Sequence, residues 1–208
     1  MYSYKPIAKY SIWLDIPKHQ KSEYQQIIDI LAKKYKGPLF EPHVTLVGEI
    51  SGHEKKIISK IKKMAEKEKP FKISLDGISF STTYFQSVFL KVSASQKLMN
   101  LNLRIKHILE ISNDLYMPHM SLLYGNQKMS TRENIAKKLN IKTKNILIRK
   151  ILIVPSTNNP ADWHHVSEIY LGSNYAFPKC RHRLEKNKLE RDRALIVSQI
   201  DLGSGRNS

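Results

Sequence analysis

Two stretches of the chain are versions of one pattern: Pro42-His43-Val44-Thr45-Leu46-Val47-Gly48 and Pro118-His119-Met120-Ser121-Leu122-Leu123-Tyr124-Gly125. In each, a histidine stands two residues before a hydroxyl residue inside an apolar run, with a proline before and a glycine after. Residues i and i+2 of a β-strand point to the same face. His43 and Thr45 therefore share one face of a strand, and His119 and Ser121 share one face of another, with aliphatic residues on the opposite faces. His119 follows His43 by 76 positions, which divides the chain into two coarse halves. Brought together, the two strands offer two imidazoles and two hydroxyls around one small cavity, a set suited to metal-free acid–base chemistry on a phosphate ester. His165-Val166-Ser167 has the same spacing but neither the proline nor the apolar run, and serves as an internal control for chance matches.

The rest of the chain alternates strand and helix patterns. Residues 8–15 read as a strand ending near Pro17. Residues 20–35 read as an amphipathic helix with Tyr24, Ile27, Ile28, Leu31 and Tyr35 at helical spacing, closed by Gly37-Pro38. The first motif strand covers 43–50. A helix over 53–69 follows, carrying Ile57, Ile58, Ile61 and Met64 on one face and stopped by Pro70. Strands are expected at 71–80 and 84–93, then a helix over 95–112 and the second motif strand at 119–124. A short helix at 131–139 leads to an isoleucine-rich strand at 144–154 and a last strand at 165–171. This alternation predicts an α+β or α/β sandwich.

With 208 residues, 41% hydrophobic and 25% charged, the chain has the make-up of a soluble domain large enough for a substantial core. It has no apolar run of membrane-spanning length and no signal-peptide pattern, so a cytoplasmic protein without membrane association is expected. Its one cysteine, Cys180, rules out an internal disulfide and a cysteine-based zinc site. The net charge is +17. Residues 179–208 hold 8 Lys+Arg and 4 Asp+Glu, or +4, leaving +13 on residues 1–178. An excess spread in this way fits a polyanionic partner, RNA or a nucleotide, or else a surface solvated by lysines. A monomer is expected.

The motifs resemble those of the 2H phosphoesterases, whose signature is a pair of H-x-T/S-x elements, one in each half of a duplicated fold. Gly37-Pro38-Leu39-Phe40-Glu41-Pro42-His43-Val44-Thr45-Leu46 and Pro118-His119-Met120-Ser121-Leu122-Leu123-Tyr124 look like the plant and yeast cyclic phosphodiesterase branch. So do Tyr10-Ser11-Ile12-Trp13-Leu14 near the start and Trp163-His164-His165-Val166-Ser167-Glu168-Ile169-Tyr170-Leu171 near the end. The resemblance covers residues 8 to about 172 and stops before the tail. It implies an α+β, bilobal fold: two pseudo-symmetric lobes, each with an antiparallel sheet and outer helices, and an active-site cleft between them. It also implies hydrolysis of 2′,3′-cyclic nucleotides to 2′-phosphates, and activity on ADP-ribose 1″,2″-cyclic phosphate.

On this reading His43 and His119 are the acid–base pair, because imidazole titrates near neutrality. Thr45 and Ser121 are the hydrogen-bond donors to the phosphate oxygens. The resemblance adds Tyr124 as a third donor, and Trp13 is a candidate for stacking on a base. No cofactor or metal is expected. His164 and His165, adjacent on a strand, point to opposite faces and are poorly placed to chelate. The domain is expected over 1–178, with 179–208 a basic tail that is disordered or marginally helical. Two alternatives stand beside a cyclic nucleotide phosphodiesterase. One is an enzyme for longer RNA or signalling nucleotides, opening RNA 2′,3′-cyclic ends or cutting 2′–5′ linkages. The other is a non-catalytic RNA-binding module.

Overall fold

The computed structural model describes residues 9–112, 114–142 and 144–172. The expectations for the tail at 179–208 lie outside these residues. In chain order the strands are β1 (Lys9–Asp15), β2 (His43–Ser51), β3 (Phe71–Phe80), β4 (Val88–Val92), β5 (His119–Leu123), β6 (Asn145–Ile148), β7 (Lys150–Pro155) and β8 (Ser167–Tyr170). The helices are α1 (Lys18–Tyr35), α2 (Glu54–Ala65), α3 (Gln96–Leu109) and α4 (Met129–Lys138). Tyr24, Ile27, Ile28 and Leu31 form the buried stripe of α1, as their spacing requires. That helix ends where Lys36 turns left-handed at φ 54°.

The strands form two four-stranded antiparallel sheets, ordered β2-β1-β7-β8 and β5-β4-β3-β6. Each motif strand is the edge of its own sheet, and β2 and β5 meet. Two helices cross between lobes: α1, which joins β1 to β2, packs on β5, and α3, which joins β4 to β5, packs on β2, whereas α2 packs on β8 and α4 on β3 and β4. One hydrophobic core runs through both lobes. Three contacts fix the lobes to each other near the motifs. The buried Asn102 side chain donates to the Leu46 carbonyl at 2.6 Å, and the Tyr116 hydroxyl donates to the Thr45 carbonyl at 3.1 Å. Gly37 lies so close to the Tyr124 carbonyl that a Cβ there would stand 2.7 Å from the oxygen.

One expected element divides. The strand anticipated over 144–154 is two strands in different sheets, β6 pairing with β3 and β7 with β1, with only Arg149 between them. The core face gives the reason. Ile146 and Ile148 are core residues before the break and Ile151 and Ile153 after it, a change from even to odd positions that one straight strand cannot make. The strand expected from 84 begins at Val88, leaving Tyr84 and Phe85 in a loop. The helix expected to run to 69 ends at Ala65. Among the described residues no helix is long and apolar enough to cross a membrane.

Candidate active site

His43 and His119 begin their strands and are held in the same way. His43 Nδ1–H donates to the Glu41 carbonyl at 2.7 Å, and His119 Nδ1–H donates to the Met117 carbonyl at 2.9 Å. A carbonyl only accepts, so each ring carries its proton on Nδ1 when neutral and leaves Nε2 for the cavity. Both rings line a single cavity of about 160 Å³ together with Thr45, Ser121 and Tyr124. The structure thus gathers all five of these residues around one space. Burial pushes His43 down to about 4, against the pull of the Glu41 carboxylate. His119 is lowered as well, again by burial.

Trp13, the candidate for stacking on a base, also lines this cavity. Its ring is only 3% exposed, and its face lies against the His43 imidazole, 3.5 Å between centroids and 8° from parallel. Trp13 packs against the histidine at the cavity wall. Trp163 meets the edge of that pair, 5.3 Å from Trp13 and 5.8 Å from His43, and donates Nε1–H to the Thr157 carbonyl at 3.0 Å. It precedes β8 rather than belonging to it. Trp163 and the 37% exposed Phe85 are the aromatic groups at the cavity wall that sequence patterning did not single out.

Phe85 is placed by a buried arginine. Arg132 on α4 donates to the carbonyls of Gln127 (2.8 Å), Thr83 (3.1 Å) and Gly125 (3.0 Å), and also to that of Ser81. This pins the loop between β3 and β4 to the end of β5. The Phe85 carbonyl in turn accepts the Ser121 hydroxyl at 2.8 Å. Ser121 must rotate away from that carbonyl to donate to a phosphate oxygen. Tyr124, stacked on Phe40 at 3.8 Å, has its hydroxyl beside Ser121, and burial pushes that phenol up.

The other wall of the cavity is polar. The β1–β2 ladder slips register, and Glu49 adopts a left-handed φ of 56°. This bulge turns its carboxylate to the cavity rim, where Lys9 (2.6 Å) and Ser156 (2.7 Å) donate to it. No lysine or arginine is among the described residues lining the cavity. Among the described residues no group of three or more His, Cys, Asp or Glu side chains is arranged to hold a metal ion. His164 and His165 diverge, His164 facing the Asp162 carbonyl and His165 facing two carboxylates.

Two H-x-T/S strands meeting at one cleft between paired antiparallel lobes define a 2H phosphoesterase. A family model described as cyclic phosphodiesterase-like protein matches residues 9–171, and the chain belongs to that family, whose members are phosphodiesterases. The chain is 28% identical over 134 residues to the cyclic phosphodiesterase of Arabidopsis thaliana, spanning 62% of this chain and 72% of that protein. Among solved structures, E. coli LigT complexed with 3′-AMP superposes with a TM-score of 0.55 at 13% identity, covering 79% of this chain and 98% of LigT. LigT complexed with phosphate gives 0.52 at 12% identity, with 80% and 98% covered. These structures share the fold.

Proposed function

We propose that this phosphodiesterase hydrolyses nucleoside 2′,3′-cyclic phosphates to nucleoside 2′-phosphates by two-histidine acid–base catalysis. One observation carries the reading: His43 and His119 are anchored identically through Nδ1 and share one cavity. Opening the cyclic ester needs a base that takes a proton from water and an acid that protonates the leaving 3′ oxygen. A pair of histidines with one proton between them supplies both. Thr45, Ser121 and Tyr124 donate to the non-bridging oxygens, where charge builds up.

The phosphate meets no lysine or arginine among the described lining residues, so its charge is balanced by a histidine that gains a proton as the ester binds. The cavity holds the cyclic phosphate, and the nucleoside lies toward Phe85 and Trp163 at its wall. The structure of LigT complexed with 3′-AMP supports a nucleotide as the ligand. ADP-ribose 1″,2″-cyclic phosphate presents the same five-membered ester and is included in the proposal.

The test is hydrolysis of the four nucleoside 2′,3′-cyclic phosphates in the presence of EDTA, with 2′- and 3′-phosphate products resolved. Turnover to 2′-phosphates is expected, falling at least ~100-fold in His43→Ala and in His119→Ala. Turnover that persists in both variants, or that EDTA abolishes, overturns the mechanism. Turnover only on oligonucleotides moves the substrate to longer RNA.

A further inference from the structure

His165, the chance match to the H-x-S spacing, has no place in the chemistry above, yet it sits in a closed network of charges among the described residues. Its Nε2 lies 2.8 Å from Glu41 Oε2 and its Nδ1 lies 3.1 Å from Glu168 Oε1. A neutral imidazole has one N–H and would turn a lone pair toward one of these carboxylates. Both contacts are hydrogen bonds only if the ring is doubly protonated. The carboxylates continue the chain of contacts. Glu168 Oε2 accepts from Lys150 at 2.8 Å, Lys150 reaches Asp15 Oδ2 at 3.1 Å, Asp15 Oδ1 accepts from Lys21 at 3.1 Å, and Lys21 also pairs with Glu41 Oε1. The result is a closed ring of alternating charge in which each carboxylate uses one oxygen for each neighbouring cation. Its two ammonium groups and three carboxylates sum to −1, and the His165 imidazolium brings the ring to zero.

The ring ends on the catalytic machinery. Glu41 lies two residues before His43, and its main-chain oxygen is the one that accepts His43 Nδ1–H. Asp15 stands directly opposite His43 in the β1–β2 ladder. We propose that His165 is a positioning residue: as an imidazolium it closes the ring that fixes Glu41, and Glu41 fixes the tautomer and orientation of His43. This proposal rests on the acid–base role given to His43.

The groups facing His165 are Glu41, from the approach to β2, and Glu168, from β8; Lys21 and Lys150 lie beyond them in the ring. Burial opposes protonation of His165, but the two carboxylates outweigh it and the ring nitrogens are held above their ordinary value. Through Glu41 the same charges act on His43. The Glu41 carboxylate raises it and Lys21 lowers it. Removing the imidazolium leaves Glu41 less compensated, so His43 gains basicity. Removing the Glu41 carboxylate does the opposite.

The experiment follows imidazole 15N chemical shifts against pH in the wild type, His165→Gln and Glu41→Gln, alongside steady-state kinetics. In the wild type at pH 7, both His165 nitrogens are expected to be protonated. His43 is expected to titrate at higher pH in His165→Gln and at lower pH in Glu41→Gln. In His165→Gln, kcat falls about 10-fold, the size typical for loss of a group that orients a reactive one, with KM changed far less. A singly protonated His165 in the wild type overturns the proposal. So does a His43 titration that is the same in all three proteins, whatever happens to Tm. If His165→Gln does not fold, the wild-type spectrum and Glu41→Gln still decide. If the wild type turns over no cyclic phosphate, the functional reading fails while the spectra judge the ring independently.

Discussion

Histidine can lose or gain its proton near neutrality, and this molecule pulls its histidines in opposite directions. His43 and His119 are kept neutral by burial, whereas His165 is kept charged by two carboxylates. The stability consequences have opposite signs. A histidine lowered in the fold contributes stability that is present above the unfolded value, near 6.5, and is lost as pH falls toward the folded value. For His43, lowered to about 4, this amounts to roughly 3 kcal/mol across that window. A histidine raised in the fold contributes stability that is present below 6.5 and is lost as pH rises through its folded value. Denaturant midpoints measured against pH are therefore expected to peak near neutrality and to fall on both sides. In His165→Gln the alkaline decline should flatten. Binding chemistry follows the same logic: at pH 6, inorganic phosphate should take up protons as it binds, read as a dependence of calorimetric heat on buffer ionisation enthalpy. The motif histidines were legible in the sequence because i and i+2 fix a strand face locally. The charge ring was not, because it draws on residues from 15 to 168 that no local pattern connects.

The loop between β3 and β4 owes its shape to Arg132, a 3% exposed guanidinium that donates to four main-chain carbonyls. Arg132→Met strands those acceptors in a buried place. A loss of about 3 kcal/mol in unfolding free energy is expected, from the cost of unsatisfied buried polar groups. The freed loop should also weaken mononucleotide binding, because it carries Phe85 to the cavity wall. Gly37→Ala is expected to act from the other lobe. A methyl group 2.7 Å from the Tyr124 carbonyl must push the end of β5, lowering kcat several-fold with a fold that remains intact by circular dichroism. Neither site announces itself in the sequence. Arg132 reads as an ordinary surface residue of a weakly amphipathic helix, and Gly37 as a helix stop. The break at Arg149 was readable in principle, since the core positions change parity there, but a run of isoleucines conceals which face each residue takes.

At the scale of the whole molecule, the chain carries a net charge of +17, yet the described lining of the cavity contains no lysine or arginine. Long-range attraction and local recognition are thereby separated. Raising salt from 50 to 200 mM should change KM for a cyclic mononucleotide by less than about 3-fold. Any affinity for a single-stranded oligonucleotide that rests on lysines and arginines outside the cavity should fall at least ~10-fold over the same range. Equal sensitivity of the two would place the basic groups at the cleft itself.

The exchange of strands at Arg149 also sets an order of assembly during synthesis. β3 to β6, which complete the second sheet, are contiguous in the chain, whereas β1 and β2 must await β7 and β8. Until then the inner edge of β1 has no neighbour, and an unpaired edge of this kind invites association with other chains. Nascent chains halted just after β6 should resist protease over residues 71–148 and remain sensitive at β1 and β2. The half of the molecule made first is the half finished last, so a ribosome that stalls between β6 and β7 exposes the strand that carries Trp13.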